Sequence, residues 1–228
     1  MSRGPWPLAA LALGCGLAFA RPASAQISGT VSGTIAVVEH RVTTAAGVAS
    51  AAGPTTGAGI ALALSHRVEV DLSAAGGTLT PPGPGTGQQT FARADLGAAL
   101  LPAPWLALGA GVTLLGFDDP VARQHWTATR LGAEVRLPFS VVPLTAVFRV
   151  ALYPTVSATG LPAAQSAFGA GSGLAWDAGR LRVALSYSLE RYNFAAAAAG
   201  PHREQLSTLT ATVGLRFGRP GGAGDRGP

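Results

Sequence analysis

What most limits the folds open to this chain is a two-residue alternation that recurs along most of its length. Its clearest instance is Leu206–Phe217, LSTLTATVGLRF, where Leu209, Ala211, Val213, Leu215 and Phe217 alternate with Thr208, Thr210, Thr212, Gly214 and Arg216. A strand sends successive side chains to opposite faces, so this segment has one apolar and one polar face. The pattern returns in Ile27–Val37, and in Ile60, Leu62 and Leu64, which resume past Ser65-His66-Arg67 as Val68, Val70 and Leu72. It appears again in Phe91–Leu101, Trp105–Phe117, Trp126–Leu137, Leu144–Tyr153, Phe168–Trp176 and Leu181–Glu190.

Alternation alone does not say which face meets water, and a soluble sandwich would show the same period. Composition bears on the choice. Hydrophobic residues make up 48% of the chain and charged ones only 12%, about half the charged share usual in a soluble domain. With 31 Gly and 17 Pro, long helices are disfavoured and turns are plentiful. The helical rival is Leu96–Phe117, an uncharged stretch long enough to cross a bilayer. Pro102 and Pro104 in its middle, and its Gly-rich alternation, favour a strand hairpin instead.

The N-terminus carries an export signal: Arg3, an apolar run from Pro7 to Ala20, then Ala23-Ser24-Ala25 as a small-residue cleavage site before Gln26. Leu13-Gly14-Cys15 has a faint lipobox character, with Ala12 where Leu is usual. Cys15 is the only cysteine, so a chain cut after Ala25 has neither disulfides nor a thiolate metal site. All 16 basic residues are Arg, and loss of Arg3 and Arg21 takes the formal net charge from +5 to +3. A charge so small and scattered excludes the basic stripe that nucleic-acid binding requires.

Breaker-rich segments lie between the alternating ones. Thr44–Gly57, Gly76–Thr90, Asp118–His125, Pro154–Gln165 and Asn193–Gln205 read as long loops, and they alternate with short turns. That predicts ten antiparallel strands with both ends on one side, or eight if Phe168–Trp176 and its hairpin belong to a loop. The expected organisation is a signal peptide over 1–25, a barrel over 26–217, and a tail over 218–228 with no apolar face.

The signal, the alternating strands, the loop asymmetry and a late strand ending in Phe217 resemble those of small bacterial outer-membrane β-barrel proteins. The resemblance covers most of the mature chain and is one of pattern. It implies an all-β, antiparallel up-and-down transmembrane β-barrel, reached by Sec-type export and surrounded by outer-membrane lipid. It further implies insertion by the barrel-assembly machinery, which reads a terminal Phe, and a monomeric state. The closing strand is then Leu206–Phe217, with Leu209, Val213, Leu215 and Phe217 outward, pairing with Ile27–Val37.

In that frame the strand charges fall on the inner face: Glu69, Asp71, Arg93, Asp95, Arg130, Glu134, Arg136, Arg149, Arg182, Glu190 and Arg216. A charge on the lipid face near the midplane costs roughly 2–4 kcal/mol, which accounts for the segregation. Six Arg against five acids predicts a lumen filled by pairing rather than a ring that selects ions of one sign. Trp105, Phe117, Trp126, Tyr153, Phe168, Trp176, Tyr187, Tyr192 and Phe217 lie near strand ends and are expected in aromatic girdles, with core packing the alternative. His40, His66, His125 and His202 are scattered without metal-ligand spacing, and no glycine loop opens a helix, so no metal, nucleotide or cofactor is expected. Asp118, Asp119 and His125 share one loop and form the only candidate rim site for catalysis. The expected function is therefore non-enzymatic, a structural or narrow-passage barrel. The alternatives are a porin-like or hydrophobic-solute transporter, adhesion through Gly76–Thr90 and Pro154–Gln165, and a rim-site enzyme.

Overall fold

The computed structural model describes residues 27–83, 87–118, 123–197 and 200–218. Each alternating stretch lies in a strand: β1 (Ser28–Thr44), β2 (Gly47–Ser65), β3 (Val68–Leu79), β4 (Gln89–Ala103), β5 (Leu106–Asp118), β6 (Arg123–Pro138), β7 (Leu144–Ala158), β8 (Ala164–Ala178), β9 (Leu181–Ala197) and β10 (Gly200–Phe217). Every strand pairs antiparallel with its sequence neighbours. β10 also pairs with β1, from Gly29↔Phe217 to Thr43↔Arg203, closing the sheet into a ten-stranded up-and-down barrel. The eight-strand alternative fails because β8 pairs with β7 over Phe168–Trp176 and with β9 from Ala164 to Ala178. Leu96–Phe117 contributes to β4 and β5, and no helix occurs among the described residues. The signal peptide with Cys15, Ala23 and Ala25, and the tail beyond Gly218, lie outside the described residues.

Closure decides the solvent question that the period left open. Ile35, Leu64, Leu72, Leu96, Val112, Leu131, Val150, Leu174, Leu185 and Val213, one from each strand, stand exposed on the outer surface all round the ring. A belt of that size facing water would be strongly unfavourable, and a closed barrel leaves no unpaired strand edge to lipid. The inner wall beside the belt carries the charged residues and a lining of small ones. Gly97 shows why small residues are needed there. A Cβ built on it would stand 2.6 Å from the Asp71 carboxylate and 3.1 Å from the Arg130 guanidinium, both of which lie over it.

Above the belt the pattern inverts. On β10 the outward residues change from Leu209 to Ser207, Gln205 and Arg203, while the inward ones change from Thr208 to buried Leu206 and Glu204. On β1 the outward Val37 gives way to Glu39 and Arg41, while Val38 and His40 turn inward and are buried. This end of the barrel is packed like a soluble one, apolar inside and polar outside.

The inversion corrects several predicted loops. Thr44–Gly57 is mostly strand: β1 runs to Thr44, β2 starts at Gly47, and only Ala45-Ala46 turn the chain. Asn193–Gln205 likewise lies within β9 and β10, save for 198–199. These segments lack the outward apolar residues that mark a belt strand, because they stand clear of the bilayer. Gly53-Pro54 does not turn the chain. Pro54 has no N–H to donate, and the β2–β3 ladder is interrupted there between Thr55↔Gly77 and the bridge Ala52↔Thr80. Pro154 sits inside β7 at a register shift opposite Thr129–Leu131, where a bulge accommodates it. The strict alternation of long and short connections therefore does not hold; the segment between Leu79 and Gln89 is the longest.

Candidate functional site

The lumen is the place where side chains from distant parts of the chain converge, and all eleven charges expected there point into it. Their contacts form successive tiers. At the end where β1 begins and β10 finishes, Arg216 Nη2 donates to Asp177 Oδ1 at 2.7 Å, and Arg182 Nε stands 3.9 Å from the same oxygen. Next, Arg136 of β6 makes a two-pronged contact with Glu69 of β3, at 3.1 and 2.8 Å, and its Nε donates to Glu134 at 2.5 Å. Arg149 of β7 also donates to Glu134, so that one carboxylate receives two guanidinium groups.

The central tier spans the barrel. Arg93 Nε and Nη2 grip Asp95 at 2.6 and 3.1 Å, while Nη1 and Nη2 reach Glu190 at 3.1 and 2.9 Å. Arg93 is on β4 and Glu190 on β9, which lie opposite one another in the ring of ten. Asp95 also accepts from Thr113 Oγ1 at 2.6 Å, and Glu190 from the Tyr192 hydroxyl at 2.8 Å. Arg130 lies 3.9 Å from Asp95. Each carboxylate thus has several donors, the condition under which charges can be held in a narrow interior.

Over this tier lies a packed aromatic cluster. Phe117 stacks on His40 with centroids 4.2 Å apart and touches Phe91 at 5.5 Å and Trp126 at 5.8 Å. Trp126 in turn meets Tyr192 at 5.0 Å and Phe194 at 5.4 Å, and Tyr153 meets Tyr192 at 5.3 Å. Those rings come from β1, β4, β5, β6, β7 and β9, so they connect opposite walls. The girdle expectation is corrected here. Phe117, Trp126, Tyr153 and Tyr192 are buried in the lumen, whereas Trp105, Phe168, Trp176, Tyr187 and Phe217 are exposed outside. The inward four follow from strand parity at the inverted end of the barrel, where the interior is the dry side.

At the mouth, Glu204 is 1% exposed and accepts from both His40 Nε2 and His202 Nε2 at 2.7 Å. His40 Nδ1 lies 3.3 Å from Gln89 Oε1. With Val42, Phe117 and Gln124 they line a cavity of about 170 Å³. The spacing of His40 and His202 along the chain hid this group, because only the β1–β10 pairing brings them together. Asp177, at the end of β8, is not among the eleven expected charges; it meets Arg182 and Arg216 because β8, β9 and β10 lie side by side in the ring. Among the described residues no three His, Cys, Asp or Glu side chains converge as metal ligands. The rim candidates do not gather either. Asp118 pairs outward with Arg123 at 3.2 Å and His125 is exposed on β6, while Asp119 lies outside the described residues.

No family model and no curated relative matches the chain. Solved structures do. The outer membrane protease OmpT from Escherichia coli matches with a TM-score of 0.56 at 12% identity, over 85% of this chain and 97% of that one. This is the fold of a bacterial outer-membrane β-barrel. The beta domain of the Bordetella autotransporter BrkA matches at a TM-score of 0.48 and 13% identity, over 84% of this chain and 100% of its own. In this barrel the tiers of charge, the aromatic cluster and the histidine–glutamate mouth follow one another along a single axis.

Proposed function

We propose that the protein is a structural outer-membrane barrel whose lumen passes neither ions nor solutes, and that it works as a monomer without catalysis. One observation carries the reading: Arg93 on β4 and Glu190 on β9 join opposite walls through paired hydrogen bonds, directly beneath the Trp126–Tyr192–Phe117 cluster. An open pore would require that ion pair to part and fully buried rings to move. The near balance of charge in the lumen also favours filling over selection, since a selective pore presents a ring of one sign. Bilayer lipid would cover the belt, and the Phe217 end of β10 would be the segment presented to the assembly machinery.

Single-channel recording of the refolded protein in planar bilayers tests this directly. No steady current is expected across the usual voltage range, and a stable porin-like conductance would refute the closed lumen.

A further inference from the structure

Charges on the outward face of the strands sit only beyond the belt, and three arginines gather in one sector. Arg41, Gln205 and Arg191 are successive partners across β1, β10 and β9; one step farther out, Thr43, Arg203 and Asn193 form the next row. They alternate with the buried inward residues His40, Glu204 and Tyr192, so their side chains lie on the outer surface. Toward the bilayer, the row Val37–Leu209–Tyr187 is exposed and apolar. The arginines therefore stand at the upper border of the belt, at the depth of lipid headgroups.

Their partners leave the charge largely uncompensated. Arg41 donates to Glu39, the one outward carboxylate of the sector among the described residues, at 2.8 Å; Glu204 faces inward and is held by His40 and His202. Arg203 Nε donates to the neutral Asn193 side chain at 2.9 Å, and Arg191 Nη2 reaches the neutral Gln205 at 3.5 Å. Neither Arg191 nor Arg203 forms an ion pair among the described residues. The Arg191 guanidinium lies 5.8 Å from the centroid of Phe168, its cross-strand partner on β8, and its Nε is buried with no hydrogen-bond partner. Strands two apart in a sheet are separated by about 10 Å, so Arg41 and Arg191 can close on one tetrahedral anion from either side.

We infer that this face, Arg41, Arg191 and Arg203, binds the phosphate of an anionic lipid headgroup. Guanidinium forks match phosphate oxygens in pairs, and a phosphate at this height is one whose acyl chains lie along Val37, Leu209 and Tyr187. The inference rests on the belt being surrounded by bilayer, and it is independent of whether the lumen conducts.

The test uses the full barrel refolded in phosphatidylcholine vesicles with and without phosphatidic acid, then extracted in mild detergent for native mass spectrometry. Wild type should retain phosphatidic acid over phosphatidylcholine by on the order of tenfold or more. The triple variant Arg41→Gln/Arg191→Gln/Arg203→Gln should lose that preference. Arg123→Gln, an outward arginine already paired with Asp118, should keep it. Heat-modifiable gel mobility reports separately on insertion, so a failure of the barrel reading is distinguished from a failure of the lipid site. Should the triple variant not insert, the exposed single change Arg203→Gln must still weaken retention. Equal retention of both lipids by wild type, an unchanged preference in the inserted variant, or displacement of the lipid by inorganic phosphate would each overturn the assignment.

Discussion

Placing an arginine at two points on the same face of β10 tests where the membrane ends. Val213 and Gln205 both point outward, but Val213 is 54% exposed within the belt whereas Gln205 lies among polar residues above it. Their eight-residue separation corresponds to about 20 Å along the barrel axis, for a rise near 3.3 Å per residue and a tilt near 40°. Val213→Arg would set a guanidinium near mid-belt, beside Gly33 and Val183, its cross-strand partners. Neither neighbour offers it a charge, so the cost should be roughly 2–4 kcal/mol, against no more than about 1 kcal/mol for Gln205→Arg. Unfolding in urea from lipid vesicles, followed by tryptophan fluorescence, reads the difference. For an m-value near 2 kcal/mol/M, the Val213→Arg midpoint should fall by about 1–2 M. Equal costs at the two positions, or none at either, would refute the claim that polarity inverts between Leu209 and Ser207.

Two further perturbations address the interior. Trp126 is 2% exposed and touched by three rings, so Trp126→Ala should lower stability by about 3–5 kcal/mol in the same titration while leaving the cost of Val213→Arg unchanged. Glu190→Leu strands Arg93 beside Asp95 alone and should cost about 3–5 kcal/mol; adding Arg93→Met should recover much of the loss, because the pair is then replaced by apolar volume. Failure of the double variant to recover stability would show that Asp95, left without Arg93, is the greater liability.

The belt half of the barrel was legible because lipid imposes one rule on every strand. Any outward residue between Val31 and Val37, or between Leu209 and Phe217, must be apolar or small, so strand parity alone sorts Glu134 and Arg216 from Leu131 and Leu215. Above the belt that rule stops. Ala51, Thr55 and Gly53 carry no alternating apolar signal, and their stretch reads as loop although it is fully laddered to β1. The same loss of signal concealed the mouth. His40 and His202 meet at Glu204 only because β1 and β10 close the ring, a contact across most of the chain that no local spacing announces. Trp126, expected in a girdle, lies inside the lumen, because whether an aromatic near a strand end is core or girdle depends on what fills the barrel at its height.

By itself the sequence determined the strand period, the segregation of charge to one face, and the near balance of that charge, since each is a local consequence of side chains alternating between two environments. The tertiary structure alone decided which charges pair, that Arg93 reaches the opposite wall at Glu190, that the mouth is closed by aromatic rings, and that Arg41, Arg191 and Arg203 share one outer sector. Those are matters of register and closure. Shifting one strand by two residues would preserve every alternation in the sequence and would change the partners of every side chain on that strand.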